Sequence, residues 1–524
     1  MTEEKQSAQP ASVAPSWHAA YAPNRPAIVM GSGDVTTYAQ LDERSRRFAG
    51  ALRSRGLEVG DHLAILMGNN QTFLEVAWAA QRAGLYYTPI NSHLRPGEIQ
   101  YVLDDCRASA LVTSQALADV VVRLDTSRIP VRISADGNLA GFEHYDDILA
   151  AAPPGSLDDE CEGREMLYSS GTTGRPKGVR KPLPGTSFGD PSSVLADIAR
   201  GLTAGDGGGE EVYLCPAPLY HSAPLVGSMS WHRVGGTVVL MEKFDARECL
   251  WLIERHRVTD AQFVPTMFVR LLRLPRAERE RYDLSSLRTV LHTAAPCPVA
   301  VKRQMLEWRG PVIHEYYSGT EDLGATYISA QEWLAHPGSV GRPIDECHIV
   351  GPNGEELSTG QVGVVYFAGG RRFEYHGDPA KTASVTHDKG WRTLGDMGYL
   401  DMDGYLYLTD RAAHMIISGG VNIYPQEIEN VLISHPMVAD VAVIGVPDDE
   451  MGEAVKAVVQ LADCADPDAE LAADLIGYCR KELATYKCPR TVDFVDELPR
   501  DPNGKLYKRL LRERYWTGHE SRII

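Results

Sequence analysis

The 524-residue chain contains no apolar run of the roughly 18 residues that a membrane-spanning helix needs. Its opening segment, Met1–Trp17, lacks the apolar stretch of a signal peptide, so we expect neither a leader nor an integral membrane segment. No Cys-x-x-Cys pair occurs among the nine cysteines, and their number is odd. This pattern argues against a zinc site or a disulfide framework and favours a reducing, cytoplasmic location.

Basic residues are also scarce, with 52 Lys and Arg against 70 Asp and Glu and a formal net charge of −18. A surface of this sign does not suit nucleic-acid binding, so we expect no nucleic-acid partner. The hydrophobic share of 44% and the charged share of 23% are typical of a globular protein. The length predicts about two to four domains.

Apolar segments with strand and helix periods alternate along the first part of the chain, which predicts βαβ units and a parallel sheet. The expected strands there are Leu63–Met67, Ala110–Thr113, Val212–Cys215, Thr237–Met241, Ala261–Val264 and Thr289–His292. The expected helices run from Thr37 to about Arg55 and over Gln71–Ala83, Pro96–Asp105, Ala246–Arg257, Met267–Leu274 and Val299–Trp308.

Between Gly351 and Asp410 the sequence pattern changes to short apolar segments separated by Asn-Gly and Asp-Gly turns, which predicts a β-rich subdomain. After Asp410 a further alternation predicts a small α/β segment, with strands over Met415–Ile417, Val438–Val446, Val455–Leu461 and Thr491–Phe494 and helices over Gln426–Ser434 and Ala469–Leu483. We therefore expect a disordered lead over residues 1–20, a large domain over 21–411 and a small domain over 412–524. A cleft between two such domains is a common place for a ligand.

The run from Tyr168 to Val179 reads Tyr-Ser-Ser-Gly-Thr-Thr-Gly-Arg-Pro-Lys-Gly-Val and follows the short apolar strand expected at Met166–Tyr168. Glycine lets backbone amides converge on an anion, and the hydroxyls and Lys177 add further contacts. The run is not the common P-loop, because Gly178 stands where that motif has a metal-binding hydroxyl. The alternative is an ordinary polar surface loop.

The order of residues in this run resembles the phosphate-binding signature of the adenylate-forming superfamily, which includes acyl-CoA synthetases, peptide-synthetase adenylation domains and luciferases. The resemblance implies that ATP phosphates contact Ser169, Ser170, Gly171, Thr172, Thr173, Gly174 and Lys177. It also implies that Thr172 contributes to a Mg²⁺ site.

Three further stretches follow in the family's order and concern the adenosine part of ATP. Tyr317-Ser-Gly-Thr-Glu321 is similar to the family's Tyr-Gly-x-Thr-Glu stretch, with Ser318 in place of glycine, and implies a catalytic and metal-binding role for Glu321. Thr293-Ala-Ala-Pro296 resembles the family's Gly-Gly-Ala-Pro turn along the adenine and acyl pocket. The implied nucleotide contacts are Ala294, Ala295, Pro296, Tyr316, Tyr317, Ser318 and Thr320.

An aspartate in a turn bounded by glycine can accept both hydroxyls of a ribose, and an arginine nearby can pair with a ribose or a phosphate. Asp396 and Arg411 fit this description, and the resemblance carries the ribose role to Asp396 and a hinge-side contact to Arg411. By themselves the two residues would suit a plain turn and a surface ion pair.

The remaining matches concern coenzyme A and catalysis. The loop starting at Ser418-Gly-Gly resembles the family's loop beside the pantetheine channel, which implies contacts from Ser418, Gly419 and Gly420. Lys505 lies in a Pro…Gly-Lys stretch like the one that carries the family's catalytic lysine. Most lysines after Asn-Gly are simply solvated. At the hinge, Ala413 and His414 replace the charged residue and the acid usual in the family.

The resemblance implies a large N-terminal domain of parallel α/β layers with a β-rich subdomain, and a small mobile α/β C-terminal domain. It also implies an AMP-forming acid–thiol ligase of fatty acid metabolism or a related pathway, which uses ATP, Mg²⁺ and coenzyme A. Lys505, Glu321 and His221 are the expected catalytic residues, with His221 lining the acyl pocket or serving as a core histidine. A homodimer is left open.

The residues Tyr220–Val226, where amino-acid adenylation domains place an aspartate, include no acid. Because an unpaired ammonium is costly to bury, we expect a carboxylic acid without an α-amine, with an apolar chain or an aromatic ring. Two alternatives remain: an amide synthetase that passes the acyl-adenylate to an amine, and a catalytically silent nucleotide-binding homologue.

Overall fold

The structure is a computed structural model. It describes residues 12–153, 155–169, 176–192, 201, 210–411, 414–419, 421–448, 450–462, 466–501, 504 and 506–517. The chain forms two compact units, the first drawn from Met1–Phe263, Leu274–Leu291 and Arg372–Lys381, the second from Val264–Arg273, His292–Arg371 and Thr382–Ile524. These units do not follow the boundary expected near residue 411, and that boundary stays a prediction.

The first unit contains a six-stranded sheet in which every pair of neighbouring strands is parallel. Its strands lie in the order Glu143–His144, Val131–Ser134, Ala110–Thr113, His62–Leu66, Tyr86–Pro89 and Arg164–Glu165. The helices of this unit span Pro15–Tyr21, Tyr38–Ser54, Gln71–Arg82, Pro96–Asp105, Ala118–Val121, Tyr145–Ala151, Ser222–Arg233, Ala246–His256 and Arg276–Arg279. The prediction of an α/β fold with a parallel sheet is confirmed.

A second set of strands in this unit has the order Asp260–Phe263, Val212–Cys215, Thr237–Leu240, Pro26–Met30 and Val35–Thr37, with only the last pair antiparallel. The cap of the helix Tyr38–Ser54 is the one that the sequence predicts. Thr37 accepts the backbone N–H of Gln40 through its hydroxyl, and the Gln40 side chain accepts the backbone N–H of Thr37 in return. This capping box satisfies two groups that the helix itself leaves unpaired.

Residues 12–20 of the expected disordered lead are ordered, so that prediction is wrong for this part of it. Pro15–Tyr21 is a helix, and Val13 before it is buried and donates its backbone N–H to Gly189 O. Pro15 suits the start of a helix because that position has no intrahelical partner for an N–H. The apolar anchor at Val13 explains why a polar segment still packs here.

The second unit contains a four-stranded antiparallel sheet in the order Glu346–Val350, Gly363–Ala368, Arg392–Leu400 and Leu406–Arg411. This sheet confirms the β-rich subdomain expected between Gly351 and Asp410. Three further strands, Ile313–Ser318, Ala325–Ile328 and Arg342–Pro343, pair antiparallel. The helices span Pro265–Arg273, Val299–Arg309, Ala330–Ala335, Pro425–Leu432, Ala469–Glu482 and Lys508–Trp516.

The C-terminal sheet of the second unit has the order Val421–Ile423, Ile416–Ser418, Gly452–Leu461 and Val438–Asp448, and Thr491–Val495 pairs parallel with Gly452–Leu461. Its core consists of buried aliphatic side chains such as Ile416, Val443 and Leu475. The helices and strands that the sequence predicts after Asp410 are all found here, with bounds shifted by a few residues. Among the described residues, no helix is long and apolar enough to cross a bilayer.

Candidate active site

The phosphate-binding run is flanked by two strands that pair with each other. Leu167–Ser169 runs antiparallel to Lys177–Arg180, with Ser169 opposite Lys177. The sequence places the run after a strand of an α/β sheet, but these strands form a separate antiparallel sheet with Glu374–Tyr375. The predicted contacts Ser170, Gly171, Thr172, Thr173 and Gly174 lie outside the described residues.

Lys177 borders a cavity of about 290 Å³ in the first unit. The cavity is lined by Tyr101, Asp105, Lys177, Gly178, Tyr375, His376 and Asp378. The Lys177 ammonium lies 5.7 Å from the centre of the Tyr375 ring, within the range of a cation–π contact. Lys177 is thus a strand residue with a defined environment rather than a member of a free loop.

Tyr168, at the start of the run, donates its hydroxyl to Asp105 Oδ2 at 2.5 Å. Burial, the neighbouring Cys106 and this hydrogen bond raise the pKa of the Tyr168 phenol. The contact ties the strand before the run to the C-terminus of the helix Pro96–Asp105. Sequence reasoning missed Asp105, because 63 residues separate the partners and no local pattern links them.

In the second unit the structure brings two predicted nucleotide contacts together. The Tyr317 hydroxyl donates a hydrogen bond to Asp396 Oδ2 at 2.7 Å. The sequence predicts an apolar strand over Val312–Tyr316, whereas the observed strand Ile313–Ser318 includes Tyr317 and Ser318. Because the strand holds the Tyr317 phenol in one direction, the phenol can orient the Asp396 carboxylate.

Asp396 also lies opposite Arg411, since the two are Cα partners in the antiparallel pair of Arg392–Leu400 and Leu406–Arg411. The pairing is irregular just beyond this point, between Met397 and Gly398. Asp396 is only 7% exposed. Asp396, predicted to meet a ribose, and Arg411, predicted to make a hinge-side contact, are therefore neighbours across one ladder.

The stretch after the strand Ile313–Ser318 contains the predicted metal ligand, Glu321. Glu321 is only 8% exposed, and a side chain at Gly319 would come within 3.1 Å of Glu321 Oε2. Ser318, the residue that replaces the family's glycine, donates its hydroxyl to Gly324 O at 3.0 Å. A buried carboxylate offers the oxygen ligands that Mg²⁺ prefers, so the residue present fits the ion. Tyr316 and Thr320 are half-buried.

The predicted turn along the adenine pocket has an unusual backbone. Ala294 has a φ of 75°, in the left-handed region that favours glycine. Ala294 and Pro296 are exposed, and Ala295 between them is half-buried. The family's turn has a glycine where Ala294 stands, and the observed φ gives a physical reason for that glycine.

A buried ionic cluster lies at the base of this turn, and sequence reasoning missed it. The Lys302 ammonium donates to Glu315 Oε2 at 2.6 Å, and His292 Nε2 lies 3.3 Å from the same oxygen. Burial lowers the pKa of Lys302 and raises the pKa of Glu315, while the contact between them opposes both shifts. Burial also lowers the pKa of His292 well below its usual value. We expect a neutral imidazole beside the pair.

His221, the predicted acyl-pocket residue, lies in the first unit directly before the helix Ser222–Arg233. Its ring is half-buried and tilted against Tyr220, with ring centres 4.7 Å apart. Its backbone N–H donates to Pro218 O at 3.2 Å. This position fixes the backbone at His221 and is compatible with both of its predicted roles.

The predicted coenzyme A loop is described in part. Ser418 is 7% exposed, and Gly419 has a φ of 57° and donates its backbone N–H to Met451 O. A side chain at Gly419 would collide with the Met451 methyl group, at 2.4 Å. Gly420 and Lys505 lie outside the described residues, as does the Arg411 side chain.

Comparisons with known proteins show the family of this chain. The AMP-binding enzyme family matches residues 16–373, and the AMP-binding enzyme C-terminal domain matches residues 427–505. A feruloyl-CoA synthase from an Amycolatopsis species is 36% identical over 95% of this chain and 98% of its own length. A long-chain-fatty-acid–CoA ligase of Mycobacterium tuberculosis is 32% identical over 95% of this chain and 97% of its own.

Solved structures show the same fold. ATP-bound MatB from Rhodopseudomonas palustris has a TM-score of 0.78 and 29% identity, covering 96% of this chain and 99% of that one. The amide bond synthetase McbA from Marinactinospora thermotolerans has a TM-score of 0.77 and 29% identity, covering 94% and 97%. The chain belongs to the AMP-binding enzyme family, and the prediction of an adenylate-forming, AMP-forming CoA ligase is confirmed.

Proposed function

We propose that this chain activates an apolar carboxylic acid with ATP as an acyl-adenylate, releases pyrophosphate, and transfers the acyl group to coenzyme A with release of AMP. The observation that carries the proposal is the Tyr317–Asp396 hydrogen bond beside Arg411, since it presents a fixed carboxylate to a nucleoside. The family match supports the same reaction class.

The chemistry explains why the predicted groups are needed. A carboxylate and ATP are both anionic, so a site must offset their repulsion before the acid can attack the α-phosphorus. Lys505 and the amides and hydroxyls of Ser170–Thr173 would offset it by holding the phosphates. Bound Mg²⁺ would neutralise further phosphate charge, with Glu321 and Thr172 as its residues. Positioning of the reactants and neutralisation of their charge provide most of the catalysis in such transfers to or from phosphate groups.

The acid that we propose has no α-amine. An acid with an ammonium would need a carboxylate partner, which Tyr220–Val226 does not contain. The relatives named above act on a phenylpropanoid acid and on long-chain fatty acids, and both types suit this proposal. Ala295 and Tyr317 would contribute apolar surface to the acyl pocket, while Ser418, Gly419 and Gly420 would line the path of the coenzyme A thiol.

An amine acceptor is the second candidate, because an amide bond synthetase shares the fold at 29% identity. In that reaction AMP release would depend on an added amine and not on coenzyme A. An assay of AMP release with each acceptor in turn therefore distinguishes the two candidate functions. A silent homologue would form no acyl-adenylate and release no pyrophosphate.

The experiment measures pyrophosphate release over a panel of fatty, cinnamic and benzoic acids, and then AMP release with and without coenzyme A. The sharpest pair within the panel is 3-phenylpropanoic acid and phenylalanine, which differ by the α-ammonium. We expect release with the first and none with the second. Release with phenylalanine alone, or AMP release that ignores coenzyme A, would contradict the proposal.

We also propose that the enzyme works in the reducing cytoplasm. The described cysteines are all free thiols, and several are deeply buried, including Cys215 and Cys249. Burial raises the pKa of the Cys215 thiol to about 11, which keeps it in the unreactive form. Fractionation of cells that express the tagged chain would test this location.

A further inference from the structure

The Arg500 side chain makes three hydrogen bonds, and they join two separate parts of the second unit. Its Nε and Nη2 donate to the two carboxylate oxygens of Asp440, at 2.5 and 2.8 Å. Its Nη1 donates to the backbone carbonyl of Gly504 at 2.6 Å. One planar guanidinium therefore binds a carboxylate in a fork and also binds a carbonyl. We call these three residues the Arg500 clamp.

The carboxylate side of the clamp is fixed by its own strand. The strand Val438–Asp448 has a register shift between Val438 and Asp440, where one extra residue bulges out of the ladder. Bulges re-aim a side chain, and here Asp440 Oδ1 also accepts the backbone N–H of Val441 at 2.8 Å. The Asp440 carboxylate is thus oriented by its own strand as well as by Arg500.

The carbonyl side of the clamp is held by backbone hydrogen bonds. Gly504 donates its backbone N–H to Asp501 O at 2.8 Å and has a φ of 78°. Tyr507 donates its backbone N–H to Pro499 O, so the chain returns across Arg500. The Gly504 carbonyl belongs to the planar peptide group that joins Gly504 to Lys505. A hydrogen bond that orients this carbonyl therefore orients the peptide from which Lys505 extends.

The helix Pro265–Arg273 contacts both sides of the clamp. Near its start, Thr266 packs so closely on Gly504 that a side chain there would come within 2.3 Å of Thr266 Oγ1. At its end, Arg273 Nη2 donates to the carbonyls of Val438, at 3.3 Å, and Ala439. The clamp and this helix therefore form one connected arrangement within the second unit.

An ordinary surface ion pair is the plain alternative, because such pairs contribute little to stability and orient no neighbouring backbone. Arg490 and Asp448 supply a matched example in the same unit. Arg490 Nη1 lies 2.9 Å from Asp448 Oδ2, and Arg490 is 48% exposed. Arg500 differs because it is 24% exposed and also holds a carbonyl next to the predicted catalytic lysine.

We propose that Arg500 is a positioning residue for acyl-adenylate formation: the Arg500 clamp orients the Gly504 carbonyl and, with it, the peptide group that leads to Lys505. This inference rests on the function proposed above, because Lys505 is assigned to the first half-reaction there. A misplacement of about 1 Å can cost about 100-fold in rate. Loss of the clamp therefore lowers the rate of acyl-adenylate formation, the first half-reaction, and leaves the rate of thioester formation, the second, unchanged.

The test uses the full chain and three readouts: pyrophosphate release from acid and ATP, thioester formation from supplied acyl-adenylate and coenzyme A, and amide hydrogen exchange over residues 498–507. For Arg500→Gln we expect adenylate formation to fall about 10- to 100-fold. We expect thioester formation within about 2-fold of wild type and faster exchange at Gly504 and Tyr507. Arg490→Ala is the matched control and should change none of the three.

Two further variants separate positioning from plain charge pairing. Arg500→Lys keeps the charge but cannot bind Asp440 and Gly504 together, so adenylate formation should stay low. The double variant Asp440→Arg with Arg500→Asp restores an ion pair without a donor for the Gly504 carbonyl. It should regain stability to urea but not adenylate formation.

Several results would overturn the inference. Equal loss of both half-reactions in Arg500→Gln would show a general folding defect, and recovery of adenylate formation in the charge-swapped variant would show that only the ion pair matters. If the wild type forms no adenylate with any acid, the proposed function fails, and hydrogen exchange still decides on the clamp. Unchanged exchange over 498–507 in Arg500→Gln would then refute it.

Discussion

The Tyr317 hydroxyl donates to Asp396 Oδ2 at 2.7 Å, although 79 residues separate the two in sequence. Tyr317 belongs to the strand Ile313–Ser318 and Asp396 to the strand Arg392–Leu400. Because both backbones are held in ladders, the hydrogen bond fixes which way the carboxylate faces. A ribose would thus meet a carboxylate that is oriented before the nucleotide binds, which lowers the ordering cost of binding.

Tyr317→Phe should weaken ATP binding without removing the chemistry. The loss of one hydrogen bond, worth about 0.5–1.5 kcal/mol, predicts a KM for ATP raised about 2- to 12-fold with kcat for adenylate formation nearly unchanged. Asp396→Asn should raise this KM further, since charge-assisted hydrogen bonds are stronger. Pyrophosphate release against ATP concentration measures both. A kcat that falls while KM stays constant would assign Tyr317 to the reaction itself.

Lys505→Ala should abolish adenylate formation and spare thioester formation from supplied acyl-adenylate. The reason is that the lysine offsets charge only while ATP reacts, and removing one such group typically costs about 3–4 kcal/mol, or more than 100-fold in rate. Lys481→Ala, at an exposed position of the helix Ala469–Glu482, is the control. If both half-reactions fall together in Lys505→Ala, the lysine does not have this divided role.

Ala294→Gly should leave the protein as stable as before or more stable by up to about 1.6 kcal/mol. The left-handed backbone costs a non-glycine residue about 1–2 kcal/mol, and the greater freedom of glycine in the unfolded chain offsets about 0.4–1 kcal/mol of that gain. Ala295→Gly is the matched control, because Ala295 has no positive φ and should lose stability. Urea unfolding compares the two. Equal losses would show that the backbone at Ala294 is unstrained.

The sequence predicted elements well where local pattern decides them. Pro96–Asp105 and Ala110–Thr113 have the predicted bounds, because a proline start and a short β-branched run are local signals. Only the resemblance gave Asp396 a ribose role and Arg411 a hinge-side contact, and the strand register that places the two residues opposite each other was not predicted. Both roles stay predictions.

Contacts between distant segments could not be read from the sequence. Lys302 and Glu315 look like surface charges in a linear reading, yet their side chains are 0% and 7% exposed. The Arg500–Asp440 pair joins residues that are 60 apart in sequence. A strand bulge directs the Asp440 side chain, and no residue type in the sequence predicts that bulge. Such pairs depend on how elements pack, so periodicity and motifs do not encode them.

The buried histidines predict a loss of stability in mild acid. His232 accepts the Trp78 indole N–H on Nδ1 at 3.0 Å, and its Nε2 lies 3.0 Å from Ala27 O, so the neutral ring is fully satisfied. Burial lowers the pKa of His232 to about 4. A proton on Nδ1 would face the indole N–H and break this arrangement.

The sign follows from proton binding in the two states. Well above pH 6.5 His232 is neutral in both the folded and the unfolded state, so it adds no pH dependence there. As pH falls from 6.5 towards 4, the unfolded state takes up a proton that the folded state refuses, and the free energy of unfolding falls. The slope is at most about 1.4 kcal/mol per pH unit for this residue.

His232→Gln should therefore flatten the pH dependence of stability between pH 6.5 and about 4.5, whatever it does to stability at pH 7.5. Urea titrations of wild type and variant across this range measure the difference, in which the titration of other groups cancels. His93→Gln, at an exposed position, should keep the wild-type slope. An unchanged slope in His232→Gln would mean that the folded protein accepts the proton at this histidine, so that the buried ring and its two partners impose no barrier to charge.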